Sequence, residues 1–291
     1  MYQKQTVIKG KTITSAFLMA PMVTFGYGVK NGIITDELIS HYEARARGGI
    51  GMIIAEAACV AEDGRLSEYQ TGIWNEDQME GHRMLVSAAH KFKVPILSQL
   101  HHAGIRTVSG RPASPSAFHG TLRGREYTAD EMSEDEILLR EQQFIEAAVR
   151  ARAAGYDGVE LHCAHSYFLN AFLSPTVNHR TDRFGGNIEG RMRVVLDIME
   201  GIRHSCGENF LISVRLGFDE PDLESSAFMA GTFEKAGMDF LHVSTGFGST
   251  GFMDERTMEN PPDEFPFNIR IWGAMQMKQR VSCPVIAVGG I

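Results

Sequence analysis

RMRVVLDIMEGIRHSCGENFLISVRL, residues 191–216, reads as one helix followed by one strand. Met192, Val195, Met199 and Ile202 recur at helical spacing and give residues 191–204 a single apolar stripe to bury. Residues 210–216 then form a short run rich in Ile, Val and Leu, the length and composition of a buried strand. The unit repeats in both directions. Six further runs read as strands, at residues 17–20, 51–57, 94–100, 158–162, 240–244 and 285–288, with segments of helical period between them. Residues 35–47 open on a Thr35 N-cap with two acids in the first turn. Ser133 and Glu136 make a capping box ahead of a stripe of Ile137, Leu138, Phe144, Ile145, Ala148 and Val149. Strands alternating with crossover helices predict an α/β fold with a parallel sheet. At this length, with no linker to divide it, the expectation is one TIM (β/α)8 barrel domain over residues 1–291.

Residues 6–14 alternate apolar and polar side chains around Lys9-Gly10-Lys11, which predicts a β-hairpin plugging the bottom of the barrel. Residues 103–132 show no periodicity and follow the third strand, on the side where barrel active sites form, so they read as a functional lid. A closed barrel needs eight strands, and residues 288–291 come directly after the seventh. The barrel is therefore expected to be incomplete as written, with an eighth strand in a natural chain that continues.

Composition narrows the function. Hydrophobic residues make up 43% and charged residues 22%, as in an ordinary globular protein, and the formal charge of −8 disfavours nucleic acid and anionic membranes as partners. No apolar stretch has membrane-spanning length and the polar opening has no signal-peptide core, so a cytoplasmic location is expected. Cys59, Cys163, Cys206 and Cys283 lack the paired spacings of zinc or iron–sulfur sites and read as reduced core thiols; no metal is expected. The expected partners are a small-molecule substrate and further copies of the chain in a homo-oligomer.

Residues 160–167, Glu-Leu-His-Cys-Ala-His-Ser-Tyr, leave the fourth strand and carry the densest chemistry. His162 and His165 donating hydrogen bonds to one carbonyl oxygen would draw electrons from a conjugated alkene, and Tyr167 would supply a proton. By themselves the two histidines read equally well as a hydrogen-bonded core pair or as part of a metal site.

The longer signature HCAHSYFLNAFLSPTVNHRTDRFGGN, residues 162–187, resembles the Old Yellow Enzyme family of FMN-dependent NADH:flavin oxidoreductases and ene-reductases, which includes enoate and 2,4-dienoyl-CoA reductases. The likeness covers nearly the whole chain, through residues 20–22, 55–57, 98–100, 214–216 and 288–290, each at the C-terminal end of an expected strand. The resemblance implies FMN across the barrel mouth. Gln99 would hydrogen-bond the pyrimidine edge, Arg215 would sit beside N1 and O2, and Pro21, Met22, Val23 and Ala57 would pack against or hydrogen-bond the flavin. Gly289 and Gly290 would let the backbone approach the phosphate. His162 and His165 would anchor substrate, Tyr167 would be the proton donor, and Phe25 would touch substrate. Val23 departs from the Thr or Cys of many members, and Phe25 from the Tyr of some. The Gly-Arg pair that helps hold phosphate after the eighth strand has no counterpart, so residues 1–291 alone are expected to bind FMN weakly or not at all.

The function implied is hydride transfer from NADH or NADPH through FMN to the β-carbon of an α,β-unsaturated carbonyl compound, an enoate or an enoyl thioester. Two alternatives stand beside it: a metal-dependent TIM-barrel hydrolase using His162, His165 and His101 or His102, and a truncated, catalytically compromised binder.

Overall fold

The computed structural model describes residues 5–27, 29–122, 124–247 and 261–289. The chain opens with an antiparallel hairpin of β1 (Thr6–Ile8) and β2 (Lys11–Ile13). Then come β3 (Leu18–Met19), α1 (Asp36–Arg47), β4 (Met52–Cys59), α2 (Met79–His90) and β5 (Ile96–His101). After β5 lie three short strands, β6 (Ala113–Ser114), β7 (Phe118–Leu122) and β8 (Arg125–Glu131). The alternation resumes with α3 (Glu134–Ala154), β9 (Gly158–Cys163), α4 (Phe168–Leu173), α5 (Ile188–Cys206), β10 (Leu211–Gly217), α6 (Leu223–Lys235), β11 (Phe240–Ser244), α7 (Ile269–Lys278) and β12 (Val285–Ala287).

One parallel sheet runs in the order β12-β11-β10-β9-β5-β4-β3, so all seven strands read from the sequence are in it. Every residue of β4, β5, β9, β10 and β11 is buried, as parallel strands covered on both faces require. Strand pleating divides those residues between two cores. Ile53, Ile96, Ile212 and Leu241 join the cluster under the helices. Their neighbours Met52, Ile54, Leu97, Leu211 and Phe240 meet one another and Ile13 in a separate inner cluster. Side chains from β4, β5, β10 and β11 reach one another on that face because the sheet curls. Each such side chain contributes about 1.5–3 kcal/mol by leaving water. The two sheet edges, β3 and β12, line the same apolar cavity of about 310 Å³.

Lys9 of the hairpin turn pairs with Asp239 at 2.8 Å, and Lys11 with Asp157 at 2.7 Å. These aspartates immediately precede β11 and β9, so the hairpin lies at the N-terminal ends of the strands. Thr35 caps α1 by accepting from Leu38 N, and the Ser133–Glu136 capping box opens α3, as the sequence predicts. Helix α5 starts three residues before the expected boundary, because Asn187 accepts from Gly190 N and caps it there. On α3, Leu138 and Val149 point to solvent instead of the core. The buried line is Ile137, Glu141, Phe144, Ala147, Ala148, Ala151 and Ala154, four of them alanines, and Ile145 packs against Gly201 of α5.

Residues 103–132 are not the aperiodic lid that was expected. β8 pairs antiparallel with β7 and parallel with β6, forming a small separate sheet. Phe118, Leu122, Tyr127 and Ala129 pack with Ile105, Ala171, Val177 and Phe247 in their own cluster. Period-two placement of Phe118, Gly120 and Leu122, then Tyr127 and Ala129, about Gly124 is the signal that identifies this hairpin. Cys59, Cys163 and Cys206 are buried, Cys283 is partly so, and all are free thiols. Among the described residues no helix is long and apolar enough to cross a membrane.

Candidate active site

The chain leaves β9 through a strained turn. His165 and Ser166 adopt φ of 63° and 61°, a left-handed conformation that costs a non-glycine residue about 1–2 kcal/mol. Local bonds offset that cost. Ser166 N donates to Asn170 Oδ1 at 2.8 Å, Ser166 Oγ to the His165 carbonyl at 2.5 Å, and His165 N to the Thr245 carbonyl at 3.4 Å. The turn folds both downstream rings back toward the end of β9. Ring centres of His162 and His165 lie 5.0 Å apart, those of His162 and Tyr167 4.9 Å, and those of Tyr167 and His101, at the end of β5, 4.4 Å.

Burial pushes His162 well below the usual imidazole range, and the nearby His165 and Arg215 add to the effect. His165 is lowered in the same way, by burial and then by Arg215. Both are therefore neutral near pH 7, with one N–H donor each. His165 Nε2 meets Ser244 Oγ at 2.6 Å, while His162 Nδ1 is buried without a partner. Tyr167 is raised by burial, against the pull of Arg106 and Arg215. The Arg106 guanidinium lies 4.8 Å from its ring centre and also donates to the His165 carbonyl at 3.4 Å.

Beneath this group, Glu160 of β9 is fully buried and bonds to the two flanking strands and to β11 beyond β10. It accepts from Gln99 Nε2 on β5 at 2.8 Å, Ser213 Oγ on β10 at 2.9 Å and His242 Nδ1 on β11 at 2.9 Å. Burial raises its pKa, but His242, Arg215 and Ser213 outweigh that and hold it below the usual carboxylate range. A carboxylate can only accept, so Gln99 must turn its amino group toward Glu160, which leaves the amide carbonyl as the acceptor for a ligand.

These strand ends surround a cavity of about 690 Å³, within the range of small-molecule sites. His165, Tyr167, Arg215 and Gly289 line it, along with Ser244 and Tyr127. His162 lies behind that wall, edge-on to His165 and Tyr167, and Gln99 is buried at Glu160. Ala57 is buried, with its carbonyl accepting from Gln70 Nε2 at 2.8 Å. Pro21 is buried, Val23 partly so, and Met22 and Phe25 are 72% and 52% exposed; none of these five is on the cavity wall. Gly290 lies outside the described residues.

The sequence reading missed Glu160 as a shared acceptor, His242, Ser213, Ser244, Arg106, Arg125 and Arg270. Period-two alternation along residues 240–244 places His242 and Ser244 on the same face as Phe240, so that pair was legible. Among the described residues, no group of three His, Cys, Asp or Glu side chains is arranged to hold a metal ion.

The donor set fits a flavin. Arg215 Nε, His101 Nε2 and His162 Nδ1 are buried nitrogens without protein partners, His242 Nε2 is a buried acceptor because its Nδ1 donates to Glu160, and Arg215 presents its cation to the cavity. Gly289 has φ of 101°, and a Cβ there would stand 2.8 Å from Arg270 Cδ, so glycine keeps this wall open to a ligand.

Glu56 marks a β-bulge in β4, between Ala55 and Ala57. Thr24 N donates to its Oε2 at 3.3 Å, Oε1 has no partner, and burial pushes its pKa up to about 7. The folded state then holds this proton more tightly than the unfolded chain, so the group costs stability as pH rises from about 4.5 to about 7. Glu56→Gln is expected to gain up to about 3 kcal/mol relative to wild type between pH 5 and pH 8 in urea unfolding. A pH-independent difference between the two proteins would contradict the assignment.

A curled parallel sheet whose strand C-termini hold paired histidines, a tyrosine and a buried arginine is an α/β fold with its ligand site at the strand ends. Residues 6–291 match the NADH:flavin oxidoreductase / NADH oxidase family, and the chain belongs to it. It is 37% identical over 294 residues to an NADH oxidase of Thermoanaerobacter brockii, covering 96% of this chain and 43% of that protein. It is 36% identical over 244 residues to an NADPH dehydrogenase of Halalkalibacterium halodurans, covering 82% and 71%. The chain thus spans less than half the length of the first relative. Among solved structures, the old yellow enzyme homologue from Zymomonas mobilis superposes with a TM-score of 0.81 at 24% identity, covering 97% of this chain and 80% of that one. Morphinone reductase in complex with tetrahydroNAD gives 0.77 at 25%, covering 97% and 78%.

Proposed function

We propose that the protein is an FMN-dependent oxidoreductase that uses NADH or NADPH to reduce the carbon–carbon double bond of an α,β-unsaturated carbonyl compound. The observation that carries this reading is the meeting of His165 and Tyr167 at one cavity that also presents the Arg215 cation, with the His162 ring packed against both. Bound FMN would supply the hydride chemistry, taking hydride from the nicotinamide and delivering it to the β-carbon. Arg215 would offset the negative charge of the reduced ring, and Gln99, oriented by Glu160, would accept a hydrogen bond from its pyrimidine edge. Pro21, Met22, Val23 and Ala57 would contact the ring, with Gly289 and Gly290 at the phosphate and Phe25 near substrate. An eighth strand in the apolar slot between β3 and β12 would close the (β/α)8 ring. The setting is a cytoplasmic homo-oligomer acting on a small molecule.

His162 and His165, both neutral, would hold the substrate's carbonyl oxygen as hydrogen-bond donors and not as charges. Tyr167 would give its phenolic proton to the α-carbon. With FMN bound, His162→Ala combined with His165→Ala is expected to weaken phenol and enone binding about a hundredfold, the loss of two desolvated hydrogen bonds, while flavin affinity holds. A phenol charge-transfer band that titrates identically in wild type and double variant would remove the pair from the mechanism.

A further inference from the structure

The chain as a whole is acidic, with 36 Asp and Glu against 28 Lys and Arg, yet among the described residues Arg106, Arg125, Arg215 and Arg270 line this one cavity with no Asp or Glu beside them in its wall. Two of the arginines are explained by the flavin: Arg215 faces the site of the ring, and Arg270 stands against Gly289. Glu160 offsets Arg215 and a phosphate monoester carries about −1.5 to −2 near pH 7, so bound FMN would leave about one positive charge uncompensated. The histidines are neutral and add nothing to that sum. The surplus belongs to the other wall. Arg106 has its Nε buried without a partner, and Arg125, on the β7–β8 hairpin, holds its guanidinium 5.1 Å from the Tyr127 ring centre on the cavity wall.

We propose that the cavity selects substrates bearing a carboxylate separate from the carbonyl group held by His162 and His165, and that Arg125, with the free edge of Arg106, receives it. A planar fork of donors matches a carboxylate and is wasted on a neutral enone. The proposal rests on the ene-reductase reading above and adds the substrate's charge to it. It also gives the hairpin at residues 118–131 a task, since Arg125 and Tyr127 carry that wall of the site.

The test uses FMN-loaded protein and two matched pairs: 4-hydroxybenzoate with its methyl ester as binding probes, and a 4-oxo-2-enoate with its methyl ester as substrates. Each acid is expected to outperform its ester at low salt, in Kd for the phenols and kcat/KM for the enoates, with the margin shrinking as salt rises. Arg125→Gln should cut the acid-to-ester ratio about tenfold, the loss of one charge-assisted contact, and Arg125→Lys, which keeps the charge and loses the fork, should restore only part of it. Arg125 is exposed, so these replacements leave the core untouched. Esters that match or beat acids would overturn the proposal while leaving the ene-reductase reading intact. So would an Arg125→Gln effect confined to the KM for NADPH, which would assign the charge to the reductant's phosphates. Failure of NADH and NADPH to reduce the bound flavin, with no turnover of acid or ester, would instead bring down the ene-reductase reading itself.

Discussion

Glu160→Ala is expected to lower the free energy of unfolding by about 3–5 kcal/mol, the range for removing one partner of a buried ionic network. The carboxylate is fully buried and accepts from Gln99, Ser213 and His242, so its loss strands three donors at once. It also leaves the Arg215 guanidinium, itself buried, without its nearby counter-charge. Glu160→Gln should lie between wild type and Ala, because one amide oxygen can still accept while the charge is gone. The pH dependence has a definite sign. A carboxyl held below its usual range stabilises the fold above the unfolded-state value and loses that contribution as pH falls through the folded-state value, so the gap between wild type and Gln should narrow below about pH 4. Urea unfolding at several pH values measures both effects. A loss under 1 kcal/mol for the Ala variant would mean that water replaces the carboxylate freely and that the network does not organise this layer.

The role of Glu160 shows where the sequence stops being informative. Its strand was legible from the apolar run, and its place beside His162 was plain. Its partners are 53 to 82 residues away in the chain, brought together only by the register of β5, β9, β10 and β11. A periodicity argument assigns each strand a face but does not reveal which inward side chains share a layer. For the same reason all seven sheet strands could be read, each being a compact apolar run, while the arginine-lined wall could not. Arg106 and Arg125 lie in residues 103–132, whose strands carry sparse apolar positions and are mostly exposed along β8. The misplaced stripe on α3 has a different cause: Leu138 and Val149 are apolar but exposed, and alanines cover the contact face. Hydrophobicity alone favours the larger side chain, whereas close helix packing favours the smaller.

Tyr167→Phe is expected to separate the two halves of the reaction more sharply than any other single change. The substitution deletes one oxygen and keeps the ring, so the contacts with His101, His162 and the overlying Arg106 guanidinium survive, and the fold should be unaffected. Reduction of the flavin by NADH or NADPH needs no proton from this residue and should proceed at the wild-type rate. Reduction of the alkene should slow by about 10²–10⁴, the usual contribution of a positioned general acid. Burial raises the tyrosine above its ordinary range, so the phenol keeps its proton across pH 6–9 and the wild-type rate should be flat there on its account. An electron acceptor that forms no carbon–hydrogen bond, such as ferricyanide, supplies the control: it should be reduced equally fast by both proteins. Stopped-flow traces of the two half-reactions give the answer directly. If ferricyanide reduction slowed as much as alkene reduction, the lost hydroxyl would have altered the cofactor site and not proton delivery. If neither slowed, the α-carbon would take its proton from water, and the approach of Tyr167 to His162 within 4.9 Å would be packing alone.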